Sequence, residues 1–274
     1  MELMMMPVRA IAFDLDDTLL RDDRTVSDES VRILRLAAEE GIRIIPASGR
    51  AQHSMEAIVE RIGCASLYIA CNGAELWSPR HELLSRVTMD AETAREVGRF
   101  AREHDCYAQT YSGDRFLYSR RGFWAERYAE ATLLEGVYVG ELDSAITEPT
   151  SKILLSDDPA RIARLLLEAR ELFRGRLNVF CSKPYFLEFA PIEADKGKAL
   201  ARCGERLGFG LNEAAAFGDS LNDLSMLQAA GTGVCVANAR DDVKRLIPGR
   251  CGSNEEDGVA RYIEQRILQR RYGA

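Results

Sequence analysis

The sequence predicts an α/β protein, with a parallel-sheet core interrupted by an inserted α+β segment. Three observations lead there. The first third alternates short apolar runs with amphipathic helical stretches. From about Ser85 to Glu188 the order becomes helix–strand–strand, near each end of the segment. After Pro191 the strand–helix alternation returns. Alternating βαβ units build parallel sheets, whereas paired strands joined by short turns build antiparallel ones.

Val8 to Phe13 is the first strand, and it is closed by the acidic cluster Asp14–Asp17. Ser27 or Asp28 can cap a helix that runs to Glu40, where Gly41 stops it. Ile42–Ala47 is the second strand, followed by Ser48-Gly49-Arg50 and a second helix. Leu67–Cys71 is the third, ended by Asn72-Gly73. The inserted segment reads as helix Ala91–His104, strands Cys106–Tyr111 and Arg115–Ser119, then strand Lys152–Leu155. Helix Pro159–Phe173 and strands Leu177–Cys181 and Tyr185–Phe189 follow. The core resumes with helix Gly197–Leu207, strand Ala214–Phe217, a helix to Ala230, strand Gly233–Val236 and a last helix over Asp257–Arg270. The expected boundaries are therefore 1–84 plus 189–274 for the core and 85–188 for the insert. Long insertions at a loop are tolerated because closure entropy grows slowly with length.

The 274 residues, 46% hydrophobic and 29% charged, suffice for a sizeable core in one large domain or two. A net charge of −7 disfavours nucleic acid as a partner, since an acidic surface repels a phosphate backbone. A small anionic substrate stays compatible, because a lysine or a metal can reverse the field inside a pocket. The seven cysteines are odd in number, scattered and without CxxC spacing, which suits a reducing cytoplasm better than a disulfide framework or a zinc site. The opening MELMMMP lacks the basic region of a signal peptide, and no window reaches eighteen apolar residues. A soluble, cytoplasmic protein that does not enter membranes is expected. The sequence does not fix the oligomeric state.

Ligands of parallel sheets gather at the carboxyl ends of the strands. Acidic and small polar residues recur there: Asp14 with Asp16, Ser48, Asn72, and Asp219 with Asn222 and Asp223. In DLDDTL, three aspartates within four residues repel one another unless a cation compensates. A hard divalent ion such as magnesium, which takes oxygen ligands, fits that need. An isolated DxD fits a turn equally well. In GDSLNDLSML, Asp219 directly follows a strand, and Ser220-x-x-Asp223 also has the form of a helix capping box. Ser48-Gly49-Arg50 can hold a phosphate at a helix start or serve as a simple N-cap. Lys196 begins a helix, against the helix dipole. Either the charge answers the carboxylates and a phosphate, or the lysine is solvated.

Taken in order, DLDDTL, SGR, NGA (Asn72–Ala74), DKG and GDSLND resemble the haloacid dehalogenase superfamily, and within it the Cof-type phosphatases. VANA (Val236–Ala239) and NEEDGVA (Asn254–Ala260) are similar to that family too. The resemblance spans the chain and implies a Rossmann-like core with an inserted cap. By position it implies Asp14 as nucleophile and Asp16 as general acid and base. It implies Mg2+ on the Asp14 carboxylate, the Asp16 carbonyl and the Asp219 carboxylate, with Asp223 supporting them. Leu15 (through its amide), Ser48, Gly49, Lys196 and Asn222 would contact phosphate. Asp17 departs from the glycine commonest at its position, and Ser48 replaces the commoner threonine. The implied activity is hydrolysis of a small phosphate monoester, a sugar phosphate or phosphorylated cofactor, through an aspartyl-phosphate. A phosphotransferase or phosphomutase would share that intermediate, and a non-catalytic phosphate-binding protein would share the fold. A haloacid dehalogenase proper would leave Asp219 and Asp223 without a task. His53, His81 and His104 show no ligand spacing. Tyr107, Tyr111, Phe116, Tyr118, Phe123, Trp124 and Tyr128 read as packing residues of the insert. Arg266, Arg270 and Arg271 suit the end of the last helix.

Overall fold

The computed structural model describes residues 7–113, 115–132 and 134–269. The MELMMM start, Arg270 and Arg271 lie outside the described residues. Strand β1 (Ala10–Phe13) leads through a tight turn to helix α1 (Asp28–Glu39) and β2 (Arg43–Pro46). Ser27 caps α1 by accepting from the Ser30 amide at 2.9 Å, and Gly41 ends the segment at φ +79°. Helix α2 (Glu56–Ile62) and strands β3 (Tyr68–Ala70), β4 (Glu75–Trp77) and β5 (Leu83–Arg86) follow.

The inserted elements are α3 (Ala91–Glu103), β6 (Tyr107–Ser112), β7 (Arg115–Tyr118), α4 (Phe123–Thr132), β8 (Glu135–Tyr138), α5 (Leu142–Ala145), β9 (Ile153–Ser156), α6 (Pro159–Leu172), β10 (Leu177–Lys183) and β11 (Phe186–Pro191). The chain returns with α7 (Lys196–Leu207), β12 (Ala214–Gly218), α8 (Leu224–Ala229), β13 (Thr232–Cys235), α9 (Asp241–Leu246), β14 (Gly249–Arg250) and α10 (Gly258–Tyr262), which continues as a wider helical turn to Leu268. Two compact units result: one comprises the chain through Arg50, Met55–Ser85 and the residues from Asp195 on, the other Ala51–Ser54 and Arg86–Ala194. No helix among the described residues is long and apolar enough to cross a membrane.

The core unit holds a parallel sheet in the order β14-β13-β12-β1-β2. Its register sets where the loops leave. Phe13 lies level with Pro46 on one side and Phe217 on the other. Asp14, Ser48 and Asp219 therefore leave the sheet at one edge. The third expected strand is a correction. β3 pairs antiparallel with β4 in a separate sheet, and it meets the β2 side through an isolated parallel bridge, Ala47 with Ile69. Pro46 has no N–H to give, which interrupts a ladder between β2 and β3.

The second unit carries a six-stranded sheet, β10-β11-β9-β6-β7-β8, antiparallel except for the β7–β8 pair. That parallel pair closes a β7-α4-β8 crossover within the stretch that the sequence reading left without elements. Ala108, Ile153, Leu155, Leu187 and Phe189 enter an apolar cluster with Phe100, Ile162 and Phe173 of the helical layer. The alternate positions carry most of the aromatic group read as packing, so those rings line the other face and not the main cluster. Phe123 is 61% exposed.

On that face Lys152 and Glu188 form a buried ion pair, Nζ to Oε2 at 3.0 Å with side chains 5% and 4% exposed. Replacing Glu188 with glutamine keeps the shape and removes the charge facing a buried ammonium. This variant is expected to lose about 3–5 kcal/mol in urea-denaturation stability; a loss below about 1 kcal/mol would show that the pair contributes little.

Candidate active site

Asp14 ends β1 with its amide bonded to the Phe217 carbonyl at 2.9 Å, so neighbouring strands fix its backbone. The chain then turns sharply over Leu15–Leu19, and Asp17 adopts φ +58°. This left-handed conformation explains why glycine suits the position and why aspartate, which tolerates it, can replace glycine there.

Lys196 is not solvated. It stands at the first position of α7, wholly buried, and its Nζ donates to Oδ1 of Asp14 and, at 2.6 Å, to Oδ1 of Asp223. Its helix reaches this depth because Gly197 packs on α8: a Cβ there would lie 2.6 Å from the Ser225 carbonyl. Asp223 is fully buried, and its second oxygen accepts the amides of Asp219 and Ser220, each at 3.0 Å. The Ser220 bond is one half of the expected capping box. The Ser220 hydroxyl turns instead to Asn222.

Oxygens of Asp14, Asp219 and Asp223 lie within 4.8 Å of one another. Thr18 donates to Asp219 Oδ1 at 3.2 Å, tying the first motif to the last. Burial and the neighbouring Asp223 push the Asp14 carboxyl well above its ordinary range, against the pull of Lys196. Burial and Asp223 likewise raise Asp219, to about 7. Burial alone would lower Lys196, but Asp14 and Asp223 outweigh it and hold the ammonium above its ordinary value. Three carboxylates, two buried and Asp219 half-buried, thus surround one ammonium and offer an all-oxygen donor set. The negative charge is under-compensated, and a hard divalent cation fits the donor set.

Ser48 is 1% exposed; its amide donates to the Ile69 carbonyl at 2.9 Å and its hydroxyl accepts from the Arg50 amide at 3.2 Å. Gly49 packs on the Asn72 side chain, where a Cβ would meet Oδ1 at 2.9 Å. Asn72 also accepts from Asn222 Nδ2 at 3.0 Å. Ser48, Gly49 and Asn222 thus come together around Asn72, a residue the sequence reading placed at the edge without giving it a task. Leu15 is fully buried at the base of the first turn. Asp16 lies 40% exposed and is gripped by Arg50 through two bonds, Nε to Oδ2 at 2.9 Å and Nη2 to Oδ1 at 2.7 Å. Thr18 and Arg50 stood inside quoted motifs, but only their partners across the fold give them a role. The tail motifs buttress the same turn: Asn238 donates to the Asp17 carbonyl at 2.7 Å and Asn254 to the Leu20 carbonyl at 3.1 Å.

The haloacid dehalogenase-like hydrolase profile matches residues 11–263. The chain belongs to that family. The 5-amino-6-(5-phospho-D-ribitylamino)uracil phosphatase YcsE of Bacillus subtilis is 29% identical, over 95% of this chain and 96% of its own. The phosphatase YwpJ of the same organism is 30% identical, over 94% and 99%. A haloacid dehalogenase-like hydrolase from Bacteroides thetaiotaomicron superposes with a TM-score of 0.84 at 28% identity, over 94% and 99%. In this member of the family the histidines are packing groups where their bonds are defined: His81 meets Tyr68 Oη at 2.9 Å and His104 the Phe100 carbonyl at 2.9 Å.

Lys196→Met would leave Asp14 and Asp223 buried without their cation. The raised Asp14 carboxyl takes up a proton more readily folded than unfolded, so the stability it retains is present at low pH and lost as pH rises. In chelator, the variant is expected to lose about 3–5 kcal/mol at pH 8 and distinctly less at pH 5. Equal losses at both pH values in denaturant titrations would contradict the charge assignment.

Proposed function

We propose that this haloacid dehalogenase-like hydrolase is a magnesium-dependent phosphatase of small phosphate monoesters, acting through an aspartyl-phosphate on Asp14. The observation that supports it most is the buried Lys196, which joins Asp14 to Asp223 beside Asp219. A protein that merely bound phosphate would have no need for a carboxylate held at the centre of such a cluster. The Asp14 and Asp219 carboxylates and the Asp16 carbonyl would hold Mg2+, with Asp223 fixing Lys196 and the Asp219 turn from behind. Bound there, the ion supplies charge neutralisation for an anionic nucleophile and an anionic ester.

The chain's own groups then account for both chemical steps. Lys196 orients Asp14 and offsets phosphate charge. The amide of Leu15, with Ser48, Gly49 and Asn222, would receive the phosphate oxygens. An Asp14 oxygen attacks phosphorus, the bond from phosphorus to the ester oxygen breaks, and Asp16 gives that oxygen a proton. Asp16 next takes a proton from water, whose oxygen attacks phosphorus. This frees Asp14 and releases inorganic phosphate.

The substrate class rests on relatives. One is named for a phosphoribitylamino-uracil, and a 27% identical protein of Escherichia coli is named a pyridoxal phosphate phosphatase. Sugar phosphates and phosphorylated cofactors are therefore the proposed class, and the inserted unit, as a cap, is proposed to select among them. Transfer to a hydroxyl acceptor is the alternative with the same intermediate, and it would release little inorganic phosphate in water.

A panel of phosphate monoesters assayed with and without magnesium tests the proposal. At least one ester should be hydrolysed only with the metal, and Asp14→Asn should lower turnover by roughly 10⁴-fold or more while the protein stays folded. Near-normal turnover in that variant would refute the nucleophile. Because Asp219 carries a carboxyl raised to about 7, protons compete with the ion. The magnesium concentration for half-activation should therefore rise as pH falls from 8 to 6; a flat dependence would contradict this.

A further inference from the structure

Arg50 has no role in the chemistry set out above, yet both ends of its backbone are anchored and its side chain meets the proposed acid–base group. Its amide donates to Ser48 Oγ at 3.2 Å, and its carbonyl accepts the Cys71 amide at 2.8 Å. Cys71 and Asn72 follow at φ +50° and +53°, two successive non-glycine residues in the left-handed region. Such backbone is costly for residues with a Cβ and persists only where the surroundings over-determine it. The strained turn is itself tied down by the Asn72 amide on the Ser48 carbonyl at 3.0 Å. Arg50 thus stands on a rigid mount.

From that mount the guanidinium reaches across 34 residues of sequence to Asp16 and grips both carboxylate oxygens, at 2.9 and 2.7 Å. A two-point contact between a planar fork and a planar carboxylate sets the direction of the carboxylate as well as its distance, which a single ammonium contact does not. Asp16 is 40% exposed, and an aspartate at that exposure would otherwise exchange among rotamers.

We propose that Arg50 is a positioning residue that aims the Asp16 carboxyl group, so that proton transfer to and from the ester oxygen and water occurs along one fixed direction. This rests on the phosphatase reading and deepens it. Arg50 touches Asp16 and, by this account, not the reacting phosphorus. Its loss should therefore appear where a proton must be delivered.

The test compares two esters of one enzyme: an alkyl phosphate that the wild type hydrolyses, whose leaving oxygen needs a proton, and p-nitrophenyl phosphate, whose leaving group departs without one. kcat/KM reports the first chemical step. In Arg50→Ala it should fall by on the order of 10²-fold for the alkyl ester, the scale of an ångström-sized misplacement. For p-nitrophenyl phosphate it should change by less than about threefold. Arg50→Lys, with one contact in place of two, should lie between. Added guanidinium should restore part of the alkyl activity of Arg50→Ala and none of the activity of Asp16→Ala. Equal losses in kcat/KM for both esters would overturn the proposal, because Arg50 would then serve phosphate binding or the fold. Unchanged values for both would overturn it as well. If the wild type hydrolyses no phosphate ester, the functional reading fails first; if it does and the Arg50 variants discriminate nothing, this inference alone falls.

Discussion

One buried ammonium organises the site. Lys196 lies between Asp14, at the end of β1, and Asp223, at the start of α8, with all three side chains withdrawn from water. Burying a charge is costly unless partners compensate, so Lys196 cannot leave this position while its helix stays packed. The same restriction binds the carboxylates. Motifs separated by 182 and 27 residues are thereby held at hydrogen-bonding distance by one side chain. The compensation is deliberately incomplete in the electrostatic sense: a third carboxylate, Asp219, shares the cluster, and both it and Asp14 are driven toward protonation. A cluster of this kind is poised for a further cation.

The sheet makes the arrangement possible without strain in its strands. Level register among β2, β1 and β12 delivers three loops to one edge, and the loops carry the conformational cost. Asp17, Cys71 and Asn72 occupy left-handed backbone there, and the Asn72 side chain serves as the post around which Gly49 and Asn222 settle. The two tail motifs act at the outer side of the first loop, through Asn238 and Asn254. They brace the turn that aims Asp14 and Asp16 and take no place in the cluster itself.

Most of this could be read before any coordinates. Parallel topology follows from alternating apolar and amphipathic stretches, and topology alone sends strand-end residues to one edge. The burial of Lys196 was foreshadowed by a cation placed against a helix dipole. What escaped was of two physical kinds. Short elements such as β4, β5, β8, α5, α9 and β14 have too few residues to show a period, and β3 left the parallel sheet because Pro46 lacks a donor. Pairings between motifs were hidden for another reason: Thr18 with Asp219, Arg50 with Asp16, and Asn72 with Asn222 depend on side-chain directions that no spacing encodes. The aromatic residues of the insert were read as packing without a face, since period-2 alternation tells two faces apart without saying which one the helices cover; Tyr107 and Phe116 are buried, on the face away from the main cluster.

The central claim is that the Asp14–Asp219–Asp223 cluster is completed by one hard cation. Calorimetric titration of the metal-free chain with magnesium tests it most directly, in the wild type and in Asp219→Asn. One ion per wild-type chain, with binding lost in the variant while Lys196 still secures the fold, is the expected result. Equal binding in both proteins, or none in the wild type at millimolar magnesium, would contradict the account.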